Sequence, residues 1–389
     1  MTLIKKILKT LNKLTFFKTP LLCKNNIGKF DYVFYLKEPI SHIIFSNLLE
    51  GGLKNYLVIV DDQFGFKSDC SSYQAFIRVK KEFSWGYFSK IFKNEFILLE
   101  EIIHNNHQIL KNCSFIPIYD RSQEMTYIIS KYRHIFKKII TIQHGSLGSP
   151  DAYFPFLADI FIARSYEDAK IAMQYKLDTN QYIIVAGNIT SDYISSDILQ
   201  KNIIKKLDSY NNNILYAGRF GLLFNIKFII SAICTAKKDS PVYFKAHPSD
   251  KMKHIYYFII KLVHLLGKQI YVTNNLLDRE YKYLVTESSS LILELLREGT
   301  LPIIINPQKV KLPYYVEPWL FSTQKCINII EVQKYYQNKI KKLENYYFRY
   351  TYQDENYQTI VTLYNELLEY INKNETDIWK KKINEYQHK

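Results

Sequence analysis

Short apolar runs alternate along the chain with longer stretches in which apolar positions recur about every three to four residues. The runs at 32–36, 56–60, 114–119 and 138–143 predict buried strands, and 123–136 between the last two carries helical periodicity. Further runs follow at 160–163, 182–186, 214–217, 242–246, 269–273, 283–286 and 301–305. Strand and helix in alternation predict parallel sheets covered on both faces, so the fold class is α/β. The spacing predicts a second α/β unit starting near residues 180–210. From about Val332 the chain turns helical and rich in Lys, Asn, Glu and Tyr, and a C-terminal helix of this kind can cross back to the first domain. No internal repeat and no Gly/Ser or Pro linker marks the boundary. The domain reading is 1–20, a basic amphipathic helix; 21–200, an N-terminal domain; 201–330, a C-terminal domain; and 331–389, C-terminal helices.

Residues 4–18 set Ile4, Ile7, Leu8, Leu11 and Leu14 at helical spacing with lysines around them, and no acid precedes Asp31. Such a helix suits an anionic membrane interface, or else packs on the protein's own surface. No run of about 18 uncharged apolar residues occurs, so a spanning helix is not expected, and lysines break up the apolar character a secretory signal needs.

The 389 residues, 47% hydrophobic and 23% charged, are those of a globular chain with room for two domains and exclude a disordered or collagen-like one. Five cysteines lie far apart without zinc-ligand spacing, which points to a reduced, cytosolic protein; no metal is expected, and no cofactor. The net charge of +15 favours an anionic partner, although an AT-rich codon bias accounts for part of the Lys content. With 33 tyrosines, the same charge is compatible with nucleic-acid binding by base stacking, but the basic residues are scattered and no RNA- or DNA-binding motif occurs. The expectation is therefore no nucleic acid.

Polar residues concentrate at the ends of predicted strands, where open α/β sheets bind ligands. In IITIQHGSLGSPD, an apolar strand runs into Gln143, His144 and Gly145; an imidazole with an ordinary pKa near ~6.5 suits a general base, or else caps a turn. In YIIVAGNITSDYI, Gly187 permits close backbone approach, Asn188 follows it, and Asp192 is read as a cap for the next helix. In VYFKAHPSD, Lys245 and His247 alternate at a strand end and Pro248 turns the chain, so that an ammonium and an imidazole can meet one phosphate. In YLVTESSSLILELLREGT, Glu287, Ser288, Ser289 and Ser290 precede a helix whose amides and hydroxyls can hold an anion or simply cap it. Arg219 in LYAGRFG adds a cation that reaches a phosphate or pairs with an acid.

The order QHG, GN-x-x-x-D, LYAGR, KAHP, TESSS resembles the loops of glycosyltransferases of the GT-B fold, and above all the CDP-glycerol glycerophosphotransferases of wall-polymer synthesis. The resemblance covers roughly 110–310. It implies two Rossmann-like domains with an interdomain cleft, His144 as the base, and His247, Pro248 and Ser288 to Ser290 on the donor phosphates. With them go Arg219, Lys245 and Glu287 as further donor residues, and Gln143, Gly145 and Asn188 on the acceptor or cleft side. Asn188, Ile189 and Thr190 stand where that family has a proline and arginine, and Glu287 where it has an aspartate or aromatic. Polysialyltransferases and capsule Kdo transferases share the HP and serine elements but carry an acidic pair before the glycine. UDP-N-acetylglucosamine 2-epimerases share a GN-x-x-x-D loop.

The expected function is metal-independent transfer of a sugar or polyol phosphate from a nucleotide-activated donor, CMP- or CDP-linked, to a capsule or lipopolysaccharide glycan. The partners are then that donor, a glycan or lipid-linked acceptor and an anionic membrane surface, with the protein peripheral on the inner face of the cytoplasmic membrane. The alternatives are a UDP-sugar hexosyltransferase or 2-epimerase, and a non-catalytic scaffold or nucleic-acid-binding protein.

Overall fold

The computed structural model describes residues 21–22, 29–37, 39–61, 76–79, 96–145, 154–218, 222–247, 250, 252–274, 276, 279–287, 289, 291–306, 316–323, 326–353 and 359–373. The predicted helix at 1–20 lies outside them, as do Arg219, Pro248, Ser288 and Ser290. The chain divides into two compact units. The first comprises Met1–His144, Pro150–Asp192 and Tyr352–Lys389; the second comprises Gly145–Ser149 and Tyr193–Thr351.

The first unit runs β1 (Leu21–Leu22), β2 (Tyr32–Leu36), α1 (Pro39–Glu50), β3 (Tyr56–Asp61), β4 (Phe76–Val79), α2 (Phe96–Asn105), α3 (His107–Leu110), β5 (Ser114–Ile116), α4 (Gln123–Tyr132), β6 (Lys138–Ile142), β7 (Ile160–Ala163), α5 (Tyr166–Met173) and β8 (Tyr182–Val185). Its sheet has the order β1-β4-β3-β2-β5-β6-β7-β8, parallel throughout except for the β1 edge. All residues of β2 and β3 are buried, which explains their unbroken apolar runs: helices cover both faces, so no polar alternation is needed. The predicted helix at 123–136 is α4 closed by a 3₁₀ turn at Arg133–Ile135. Ser122 begins α4 by accepting a hydrogen bond from the Met125 amide at 3.1 Å.

The second unit runs α6 (Ser196–Asp208), β9 (Ile214–Ala217), α7 (Leu222–Thr235), β10 (Val242–Lys245), α8 (Lys253–Leu265), β11 (Ile270–Val272), β12 (Tyr283–Thr286), α9 (Leu291–Arg297), β13 (Leu301–Ile305), β14 (Ser322–Thr323), α10 (Ile329–Gln337) and α11 (Ile340–Tyr350). Its sheet is wholly parallel, in the order β11-β10-β9-β12-β13-β14. The final helix, α12 (Ile360–Lys373), packs on α1 of the first unit, where Asn365 Nδ2 donates to the Leu48 carbonyl at 3.1 Å.

The protein is thus an α/β chain of two Rossmann-like units. In each, strands spread in one direction from a first central strand (β2 or β9), then the chain crosses back and spreads in the other, starting with β5 or β12. The reversal opens a crevice at the carboxyl ends of the two central strands, the usual ligand position in open parallel sheets.

Candidate functional site

In the first unit a cavity of about 220 Å³ sits at that reversal. Tyr35 and Lys37 come from the end of β2, Pro117 to Tyr119 from the end of β5, Ser122 and Met125 from the start of α4, and His144 from the end of β6. The Tyr35 hydroxyl lies 3.1 Å from both Asp61 Oδ2 and Glu124 Oε2, and Lys37 Nζ donates to Glu124 Oε2 at 2.7 Å. Burial beside these two carboxylates holds the Tyr35 phenol well above its usual pKa. Ile118 has φ +62°, an outlier for a β-branched residue, and the Tyr119 amide donates to the Pro117 carbonyl at 2.7 Å. A hydrogen bond across one residue with positive φ is the strained γ-turn arrangement, and strain of this kind collects at functional sites. The turn sets the Tyr119 ring edge-on to His144, with centroids 5.9 Å apart.

His144 does not keep the ordinary imidazole pKa anticipated from sequence. Burial, then the Arg164 charge, push it down to about 4, while a hydrogen bond to the Ile142 backbone works in the opposite sense. The ring is therefore neutral at physiological pH and able to accept a proton, though weakly basic. Gln143 points the other way along the strand, is fully buried, and takes the Arg164 amide on its Oε1 at 3.1 Å, tying β6 to β7. Gly145 follows at the edge of the described segment.

The loop after β8 is occupied by the chain itself. Gly187 has φ +88°, and a Cβ there would stand 2.6 Å from the Tyr352 carbonyl oxygen. The Tyr364 hydroxyl of α12 donates to the Gly187 carbonyl at 2.8 Å. Asn188 Oδ1 accepts from the Thr190 hydroxyl at 2.9 Å and Asn188 Nδ2 donates to Ser191 Oγ at 2.8 Å, which closes the turn. Asp192 is exposed and does not cap the next helix: Ser195 does, accepting from the Ile198 amide at 3.4 Å. A serine directly before the first helical turn outcompetes an aspartate three positions earlier because its oxygen reaches the free amides.

In the second unit the described members of the predicted donor set stand at the carboxyl ends of β10 and β12, the strands on either side of β9. Lys245 ends β10, and burial draws its pKa down while Glu294 opposes this. His247 follows two residues on; burial and Lys245 lower its pKa, and Asp250 raises it. Asp250 is itself engaged, accepting from the Met252 amide at 2.8 Å and from Asn225 Nδ2 at 2.9 Å, which anchors the turn after β10 to α7. Gly218, at the end of β9, donates to the Lys245 carbonyl at 2.9 Å, and a Cβ on it would lie 2.8 Å from Asn225 Oδ1. Beside β9, Glu287 is buried at the end of β12, and Ser289 Oγ accepts from the Leu291 amide at 3.2 Å, capping α9.

Tyr35, Lys37, Glu124 and Arg164 were not anticipated. Lys37 and Arg164 each stand directly after a predicted strand, so the rule that selected Lys245 would have selected them too. Tyr35 and Glu124 lie within a strand and a helix, where no local signal separates them from core or surface.

No family model and no curated protein matches the chain. Among solved structures it is similar to HepE of Anabaena in complex with UDP and glucose, at 10% identity and TM-score 0.48, over 90% of this chain and 99% of that one. It is also similar to the wall teichoic acid polymerase TagF with CDPG, at 12% identity and TM-score 0.49, over 91% of each chain. A third is UDP-GlcNAc 2-epimerase from Neisseria meningitidis bound to UDP-GlcNAc, at 13% identity and TM-score 0.47, over 88% of this chain and 100% of that one.

Proposed function

We propose that the protein is a GT-B-type transferase that moves a sugar or polyol phosphate from a nucleotide-activated donor to a surface glycan. The observation that carries this reading is the clustering of Gly218, Lys245, His247, Glu287 and Ser289 at the carboxyl ends of the three strands around the second unit's reversal. Lys245, His247, Glu287 and Ser289 come from widely separated stretches of sequence, and the side chains of Lys245, His247 and Ser289 suit phosphate chemistry. In this reading the second unit binds the donor. Lys245 and His247, with Arg219, Pro248 and the Ser288–Ser290 segment, hold the leaving phosphate. The first unit binds the acceptor, and His144 takes the proton from the attacking hydroxyl. The CMP- or CDP-linked donor, the capsule or lipopolysaccharide acceptor and the independence of metal are parts of the proposal carried by the resemblance in sequence. Peripheral association with an anionic membrane rests on the basic stretch at 1–20; among the described residues no helix is long and apolar enough to cross a bilayer.

The test is a melting-curve panel of the full chain with CMP, CDP, UDP, GDP, ADP and dTDP, with and without EDTA. A ligand at about 100 times its dissociation constant adds roughly 2.7 kcal/mol. The expected result is a selective shift with a cytidine nucleotide that survives EDTA. A shift with UDP alone moves the donor to a UDP-sugar, and the absence of any shift refutes the transferase reading. His144→Ala is expected to keep the nucleotide shift and lose turnover.

A further inference from the structure

Arg164 is 1% exposed, yet its Nε and Nη2 have no hydrogen-bond partner among the described residues, and no ion pair engages it there. A guanidinium stripped of water and left without a carboxylate is strongly unfavourable, so a chain that places one has a use for it. Three carboxylates of this unit serve others: Glu124 takes Lys37 and Tyr35, Asp120 takes the Leu157 and Ala158 amides, and Asp159 takes Arg133 and the Ile139 amide. Ile142 of β6 pairs with Ile162 of β7 in parallel register, and just past the ends of the two strands the Arg164 charge lies close enough to His144 to act on it. His144 lines the cavity at the reversal of the sheet.

We propose that Arg164 binds an oxyanion of the acceptor, a carboxylate or a phosphate, beside His144. This deepens the reading of the first unit as the acceptor half: the acceptor is acidic, and its negative charge sits next to the base. Burial is the first cause of the low His144 pKa and the Arg164 charge the second; neutralising the guanidinium lifts the second, so an acidic acceptor raises the basicity of the imidazole as it binds.

The experiment uses the full chain with isotope-labelled histidines, His144 being assigned from H144Q. Sodium phosphate and sodium acetate are the probes, against sodium chloride at matched ionic strength. The expected result is a saturable change in the His144 resonances with one of the two anions, phosphate marking a phosphorylated acceptor and acetate a carboxylated one. R164M is expected to abolish that response and, by removing an unpaired buried charge, to raise the melting temperature of the anion-free protein. R164K, which keeps the charge but not the fork, is expected to weaken the response. No saturable response to either anion, or a response that persists in the variants, overturns the proposal. So does a fall in the melting temperature of R164M, since that is the mark of a structural arginine. The titration needs neither donor nor turnover, so its failure and a failure of the nucleotide panel are distinguishable.

A separate observation carries a second inference. Helix α8 buries only Tyr256 and Ile260 and turns Ile255, Phe258, Leu262, Leu265 and the following Leu266 to solvent at 46 to 83% exposure. These positions fall on one side of a helix. Helix α7, packed beside α8, adds exposed Ile226 and Ile230. The two helices connect β9 to β10 and β10 to β11, successive neighbours, so right-handed crossovers set them on one face of the sheet. Neither helix contains an acidic residue, while Lys227, Lys253, Lys261 and, just beyond, Lys268 are basic. We infer that this face docks on an anionic lipid surface. A second copy of the chain is the poorer occupant, since a two-fold contact would bring like charges together.

The test is co-sedimentation of the full chain with phosphatidylcholine vesicles and with vesicles containing phosphatidylglycerol, comparing wild type with F258D/L265D. The expected result is retention on the anionic vesicles alone and a tenfold or larger loss in the variant. Equal retention of the variant, no retention of the wild type, or a dimer in light scattering that the variant dissolves would each overturn it.

Discussion

His144→Gln separates the contribution of the buried imidazole to stability from everything else that titrates. In the unfolded chain a histidine takes up its proton near ~6.5, whereas in the folded protein His144 resists it down to about 4. Between those values the unfolded state binds the proton and the native state does not, so the folded form loses ground as pH falls. At about 1.4 kcal/mol per tenfold change, that window is worth roughly 3 kcal/mol, fully retained above about pH 6.5 and lost by about pH 4. Asp120 works in the opposite direction: burial, opposed by the Ala158 and Leu157 amides, raises its carboxyl to about 6, so its contribution falls as pH rises from about 4 to 6. The two nearly cancel in the wild type. Subtracting the H144Q unfolding curve removes Asp120, which both proteins share. Urea unfolding at steps from pH 7.5 to 4 should show the wild-type advantage over H144Q shrinking by about 3 kcal/mol. A difference that stays flat with pH would refute the burial of a neutral imidazole beside Arg164.

Gly187→Ala forces a side chain into positive φ and against the Tyr352 carbonyl, and should destabilise the first unit by roughly 2 kcal/mol or more, read as a lower urea midpoint. Tyr364→Phe removes the hydroxyl that meets the Gly187 carbonyl and should cost about 1 kcal/mol in the same assay. Lys245→Met and His247→Gln should each weaken calorimetric binding of the nucleoside diphosphate about 10- to 100-fold, the scale of one charge-assisted hydrogen bond, with little change in melting temperature without ligand.

The parallel sheets were legible because a strand buried on both faces must be apolar at every position, as β2 and β3 are. The position of Lys245 and His247 at the end of β10 was legible for a related reason: they interrupt such a run where the strand ends. β4 was not read, since Phe76–Val79 is short and carries Arg78. The lowered pKa of His144 was not legible, because burial and then the charge of Arg164, twenty residues away in sequence, set it, and neither is written in the local sequence. The γ-turn at Ile118 was invisible for another reason: a β-branched residue predicts extended backbone, and only its surroundings impose the opposite.

The return of α12 to the first unit makes the second an insertion within it. On the ribosome, the first Rossmann-like sheet emerges early but lacks the helix that buries Leu363, Tyr364, Leu367 and Leu368 until residues 360–373 have been made. The second unit, continuous from Tyr193 to Thr351 apart from Gly145–Ser149, is free to fold while its predecessor still waits for its last helix. Any release or stalling event before that point leaves the apolar side of α1 uncovered, a signal for chaperones and proteases to distinguish finished molecules from truncated ones.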